Sequence, residues 1–127
     1  MILIDTSVWI EFLKQKDSYV QEVKRLLEAQ KVITIEPVFS ELLFGVRNNR
    51  EEEIILSYWF VLPKIKFGTN SMLSAAQFAS KEDYQQHGIG LMDAIIIKSV
   101  MEGNHMIWTL DQRITSNLDQ KYNYSIS

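Results

Sequence analysis

The stretch MILIDTSVW, residues 1–9, decides how the rest of the chain is read. Ile2, Leu3 and Ile4 form an apolar run too short for a helix and rich in β-branched side chains. Bounded by cap chemistry, such a run predicts a fully buried strand. It stops at Asp5, and the hydroxyl residues Thr6 and Ser7 follow; Val8, Trp9, Phe12 and Leu13 then recur at helical spacing. Asp5 therefore stands where a buried strand hands over to a helix. In open α/β sheets that carboxyl edge is where sites are built. A helix cap is the competing role for any single aspartate at such a position.

Working outward, a second β-branched run, Val32 to Ile35, follows a helix that Ser18 is expected to cap, with Val20, Val23, Leu26 and Leu27 on its inner face. Pro37 suits the first turn of a helix carrying Val38, Phe39, Leu42 and Leu43. The polar knot 47–50 reads as a loop, and residues 51–60 as a helix with an acidic first turn. Residues 64–67 alternate and predict a brief edge strand. Asn70 or Ser71 caps a long helix running toward Tyr84, and 87–90 reads as a flexible loop. Asp93 to Glu102 is helical and Gly103 ends it. A strand over 105–108 leads to a short helix opened by Asp111, and the alternation of 121–126 predicts a final edge strand. Strands alternating with helices imply an α/β fold: a parallel sheet with helices on both faces.

Size and composition fit this reading. The chain has 127 residues, enough for one domain with a real core. Its 46% hydrophobic and 23% charged residues are ordinary for a soluble protein. The absence of cysteine excludes disulfides and thiolate zinc sites. No basic segment precedes a long apolar one, and no apolar run approaches the ~20 residues of a membrane span. A cytoplasmic protein with no membrane partner is expected. The net charge of −3 argues against broad electrostatic binding of nucleic acid, but not against acids that work through bound cations.

Three further acids share the character of Asp5. Glu41 lies at the rim of the buried face of its helix, beside Val38, Leu42 and Gly45; its alternative is to snorkel to solvent. Asp93 falls on the face of Ile96, Ile97 and Val100; its alternative is a cap. Asp111 follows a strand end as Asp5 does, with an N-cap again the alternative. Two carboxylates ~4 Å apart repel by about 4 kcal/mol at an effective dielectric of about 20. Lys98 and Arg113 are the nearest candidate counter-charges. A divalent cation is the simpler remedy, and hard oxygen donors favour Mg²⁺ or Mn²⁺ over Zn²⁺. His87 and His105 are not spaced as ligands; Trp9, Trp59 and Trp108 fall on apolar faces, as core or dimer packing. Lys64, Lys66, Arg47 and Arg50 are candidates for a basic rim, or else only solvate the surface.

These residues carry a resemblance. MILIDTSVW, IEPVFSELLFGV with Glu41, GLMDAIII with Asp93 and WTLDQRI with Thr109 and Asp111 stand in the order found in PIN-domain ribonucleases. The chain resembles in particular the small toxin subunits of VapBC-type toxin–antitoxin modules. The resemblance implies a single PIN-like domain over 1–127 with about four to five parallel strands, and metal-dependent hydrolysis of RNA. It implies an acidic quartet of Asp5, Glu41, Asp93 and Asp111. Asp5 and Asp93 would be the firmest Mg²⁺ ligands (or Mn²⁺), and Glu41 and Asp111 would complete the cluster directly or through water. Thr6 and Thr109 would orient carboxylates or waters. It further implies a homodimer and an antitoxin whose C-terminal segment lies over the active site. Arg113 and Ile114 depart from the pattern: many relatives carry a further Asp and an aromatic residue there, which leaves a second metal in question. Arg113 is read either as a partner of Asp111 or as a bidentate phosphate ligand. Two other classes compete. An aspartate-based phosphotransferase or phosphatase would use Asp5 as nucleophile, but Ser7 stands where that pattern wants a second Asp. A non-catalytic PIN-like binding domain would keep the acids as a binding surface.

Overall fold

The computed structural model describes residues 1–126. Three parallel strands form the sheet: β1 (Ile2–Ile4), β2 (Val32–Ile33) and β3 (Met106–Trp108), in the order β2-β1-β3. Ile2 pairs with Val32 on one side and Met106 on the other; Ile4 pairs with Trp108. Successive strand side chains point to opposite faces, and Ile2, Leu3 and Ile4 are all buried. Both faces of the sheet are therefore covered, as the run of apolar residues requires.

The connections are helical: α1 (Thr6–Leu13), α2 (Asp17–Glu28), α3 (Glu36–Phe44), α4 (Asn49–Val61), α5 (Ser71–Lys81), α6 (Leu91–Glu102) and α7 (Gln112–Ser116). In α6, Ala94, Ile95, Ile96, Ile97 and Val100 are all buried. The apolar middle of the helix lies in the interior, while Lys98 and Glu102 pair with each other toward its end. It packs against α5, α3 and β3. Trp9 anchors α1 and is 1% exposed; its ring meets Phe12, Phe39 and Tyr58 at centroid separations of 5.4–5.6 Å. All three rings named with it are hydrophobic members or neighbours of the core, so Trp9 is a packing residue.

Several local expectations change. The sheet has three strands among the described residues rather than four to five. The outer two reduce to single parallel bridges, Thr34 with Lys64 and Ile107 with Asn123. At the first edge Thr34 donates to the Pro63 carbonyl and accepts from the Ile65 N–H; Pro63 itself has no N–H to extend the ladder. At the other edge a 3₁₀ turn takes up Gln120–Tyr122, with Asp119 accepting from the Lys121 N–H, so only Asn123 is left to bridge. The alternation over 121–126 comes instead from Tyr122 and Tyr124 packing against the core.

Lys16, not Ser18, occupies the N-cap position of α2, placing Asp17 in the first turn, where the helix dipole favours it. The polar knot 47–50 is partly helical. Asn48 caps α4 by accepting from the Glu51 N–H at 2.9 Å, and the Glu51 carboxylate reaches back to the Arg47 N–H, a reciprocal satisfaction of free donors. The helix expected toward Tyr84 stops at Lys81, and Tyr84–His87 forms a separate 3₁₀ turn.

Candidate active site

β1 lies between β2 and β3, so the chain leaves the sheet in opposite senses around the carboxyl ends of β1 and β3. Crevices form at such switch points. Asp5 follows Ile4 directly, and its N–H donates to the Trp108 carbonyl at 2.9 Å. Thr109 follows Trp108, so the register of β1 on β3 sets Asp5 beside Thr109. The helix α6 returns to β3 through the tight turn at 103–105, so its first turn, which carries Asp93, lies at the same carboxyl edge. Glu41 comes from the second turn of α3, which begins three residues after the end of β2 and touches α6.

Asp5 is 7% exposed. It occupies the N-cap position of α1 yet makes no side-chain cap bond. Its Oδ2 instead accepts from Thr109 Oγ1 at 2.6 Å and from Ser7 Oγ at 3.2 Å. Its Oδ1 receives no hydrogen bond among the described residues. Buried carboxylates are rare without partners, and here the partners hold one oxygen and leave the other. Thr109 is itself held, accepting from the Asp111 N–H at 3.1 Å. Ser7 closes the set by accepting from the Leu110 N–H at 3.0 Å. From the sequence alone Ser7 has no role in the acidic site. The signal that it belongs to the site is the pairing of two hydroxyls with two strand ends, D-T-S after β1 and T-L-D after β3.

The acids feel one another. Burial pushes the Asp93 carboxyl above the ordinary carboxylate range, and the charges of Asp5 and Asp111 push it further, against Arg113 and the Gly90 N–H. Partial burial raises Glu41, and Asp5 and Asp93 add to the rise. Thr6 lies close enough to oppose this, yet its buried Oγ1 completes no hydrogen bond. Asp111 differs. It caps α7 by accepting from the Arg113 N–H at 2.9 Å, and the Arg113 guanidinium binds it at both oxygens, at 3.1 and 2.7 Å. The arginine hydrogen bonds draw its carboxyl below the ordinary range. Lys98 takes no part: it pairs with Glu102 at 2.7 Å. Two of the four expected rim cations are engaged internally: Arg47 pairs with Glu51 and Lys64 sits over the Trp59 ring.

Asp5, Glu41 and Asp93 are therefore the acids without a cation partner; Asp111 is paired with Arg113, though its charge still reaches Asp93. Among the described residues no three His, Cys, Asp or Glu side chains already stand within reach of one ion. The chemistry of the donors nevertheless suits a hard divalent cation. All are oxygen donors, burial and neighbouring negative charge raise the cost of ionising two of them, and a hydroxyl beside them lacks a partner.

A pH dependence follows. Glu41 and Asp93 bind their protons more tightly in the folded protein than in the unfolded chain. Their contribution to stability is complete at acid pH and is lost as pH rises through the raised values. In chelating buffer the Glu41→Gln/Asp93→Asn protein is expected to gain on the wild type in thermal melts as pH rises from about 4 to about 7. A constant difference across that range would contradict the raised proton affinities of Glu41 and Asp93.

A groove of about 300 Å³ includes Glu41 in its lining; its floor is mostly apolar, Leu13, Leu42, Val46 and Ile54 among them, with Lys14, Arg47 and Glu51 also on its walls. No helix among the described residues is long and apolar enough to cross a membrane.

Comparison with known proteins agrees with this architecture. A model of the PIN domain matches residues 2–119. The chain is 29% identical over 115 residues to Ribonuclease VapC32 of Mycobacterium tuberculosis, covering 90% of this chain and 87% of that protein. Its fold is similar to that of VapBC2 from Rickettsia felis, solved bound to a DNA fragment from their promoter: TM-score 0.69, 20% identity, 93% of this chain and 96% of that one. It is likewise similar to VapBC-1 from nontypeable Haemophilus influenzae: TM-score 0.67, 22% identity, 96% and 98% covered.

Proposed function

Because this chain belongs to the PIN domain family, we propose that it is a Mg²⁺-dependent endoribonuclease acting as the toxin of a toxin–antitoxin pair. The observation that carries the proposal is the buried Asp5 carboxylate, fixed through one oxygen by Thr109 and Ser7 and felt electrostatically by Glu41 and Asp93. A lone cap would not be built this way. The relative named Ribonuclease VapC32 supports RNA as the substrate.

In this reading Asp5, Glu41 and Asp93 hold the ion, and Asp111 borders it. The ion would polarise the scissile phosphate and lower the pKa of its bound water. The chain's own residues prepare the place. Thr109 and Ser7 fix the Asp5 carboxylate, so that its orientation is set before substrate arrives. Thr6, with its free hydroxyl, is placed to orient Glu41 or a water once the carboxylates ionise. Burial around Asp93 lowers the local dielectric and strengthens its pull on a cation.

The apolar groove ending at Glu41 supports a cognate antitoxin whose apolar segment lies along it and reaches the acids. Two solved neighbours are VapBC assemblies. Phe60 and Val61, both 75% exposed, support a homodimer.

The purified protein is expected to cut single-stranded RNA when Mg²⁺ or Mn²⁺ is supplied and to stop when EDTA removes it. Gel analysis of end-labelled RNA gives the answer. Intact RNA under every divalent metal tried would leave the non-catalytic binding domain as the better reading.

A further inference from the structure

Arg113 is the only cation whose contacts enter the acid cluster among the described residues, and all three of its guanidinium nitrogens are engaged. Nε donates to Asp111 Oδ1 at 3.1 Å, Nη2 to Asp111 Oδ2 at 2.7 Å and Nη1 to the Gly88 carbonyl at 3.0 Å. Gly88 has φ +75°, and a Cβ there would stand 3.2 Å from Arg113 Cδ. The loop leading to α6 is thus shaped so that its backbone approaches the arginine. One side chain ties the approach to the Asp93 helix to the cap of α7.

The lone pairs decide what Asp111 has left. A carboxylate offers about two acceptor sites per oxygen. Oδ1 already accepts the Arg113 N–H and Nε, and Oδ2 accepts Nη2. What remains lies against a positive guanidinium. A second divalent ion placed there would meet that charge at the 2.7–3.1 Å contact distance of the pair, on a carboxylate whose lone pairs are already largely taken. Asp5, Glu41 and Asp93 make no ion pair among the described residues.

We propose that Arg113 is a resident cation of the site: it withholds Asp111 from metal, so that the protein takes one divalent ion, on Asp5, Glu41 and Asp93, where the free carboxylates would otherwise admit two. The inference rests on the metal reading of the preceding subsection. Arg113 is a positioning residue in it, acting through Asp111 and Gly88.

The test is ion stoichiometry, read without RNA. Mn²⁺ is titrated into the full chain and free ion is followed by electron paramagnetic resonance, with calorimetry as a second measure. Wild type is expected to bind one ion. Arg113→Gln, which removes the charge, is expected to bind two, and Arg113→Gln/Asp111→Asn to return to one. Arg113→Lys keeps the charge without the fork and is expected to stay at one. The Arg113 side chain is exposed and the α7 cap bond uses its backbone, so these variants keep the fold. Two ions in wild type, or one in both wild type and Arg113→Gln, would overturn the inference and leave the nuclease reading standing. No ion in any of them would overturn both.

Discussion

Asp5→Asn is expected to leave a folded protein that has lost RNA cleavage. The substitution preserves shape, and the amide oxygen still accepts from Thr109 Oγ1, so the link between the ends of β1 and β3 survives. The negative charge does not. Asp5 is the acid whose charge reaches both Glu41 and Asp93, so its removal takes out the centre of the cation-attracting set. Disturbing even an outer partner of a metal ligand costs roughly 10–100-fold in affinity or activity. Loss of the central ligand should cost more than about 100-fold in Mg²⁺-supported cleavage. Thermal melts separate this from unfolding: Mg²⁺ should raise the melting temperature of the wild type, because it binds only the folded chain, and should not raise that of Asp5→Asn. Cleavage within tenfold of wild type would show that Asp5 is no more than a buried hydrogen-bond acceptor.

Trp9→Ala produces the opposite pattern, a large loss of stability from a residue that touches no substrate. Trp9 is 1% exposed and meets the rings of Phe12, Phe39 and Tyr58. Truncating a buried Trp or Phe costs about 3–5 kcal/mol. A domain of this size has only about 5–15 kcal/mol in all. Urea unfolding should therefore show about a fifth or more of the stability gone. Trp9 lies one turn into the helix that starts at Asp5, so the loss also loosens the element that sets the Asp5 backbone. Trp9→Phe should be much milder. The indole Nε1 is buried with no hydrogen-bond partner, and phenylalanine removes that unsatisfied donor while keeping a ring in the cluster. A loss below about 1 kcal/mol for Trp9→Ala would mean the cluster closes around the gap.

The two variants probe what was legible at different levels. Trp9 was readable as a packing residue because helical spacing places it with Val8 and Phe12 on one face. The position of Asp5 was readable because a β-branched run ended there. Its orientation was not. A strand-end aspartate before hydroxyl residues carries the same local pattern whether it caps its helix or turns into a site. The choice was made by Thr109, 104 residues away, through a hydrogen bond that periodicity cannot encode. The edges of the sheet were misjudged for a related reason. Alternation at 64–67 and 121–126 reports half-buried side chains, while strand length depends on whether a neighbour offers free N–H and C=O groups in register.

What the sequence determined by itself is the parallel α/β architecture and the edge on which the acids stand. Strand and helix periods, chain order and cap chemistry are local properties, and they suffice to orient each element relative to the next. Only the tertiary structure decided how charge is shared there: burial and the charge of Asp5 raise the cost of ionising Glu41 and Asp93, while Asp111 is claimed by Arg113 and the Gly88 loop. Coulomb energies and hydrogen bonds depend on distances between residues remote in the chain, and those distances exist only once the sheet and α6 have packed.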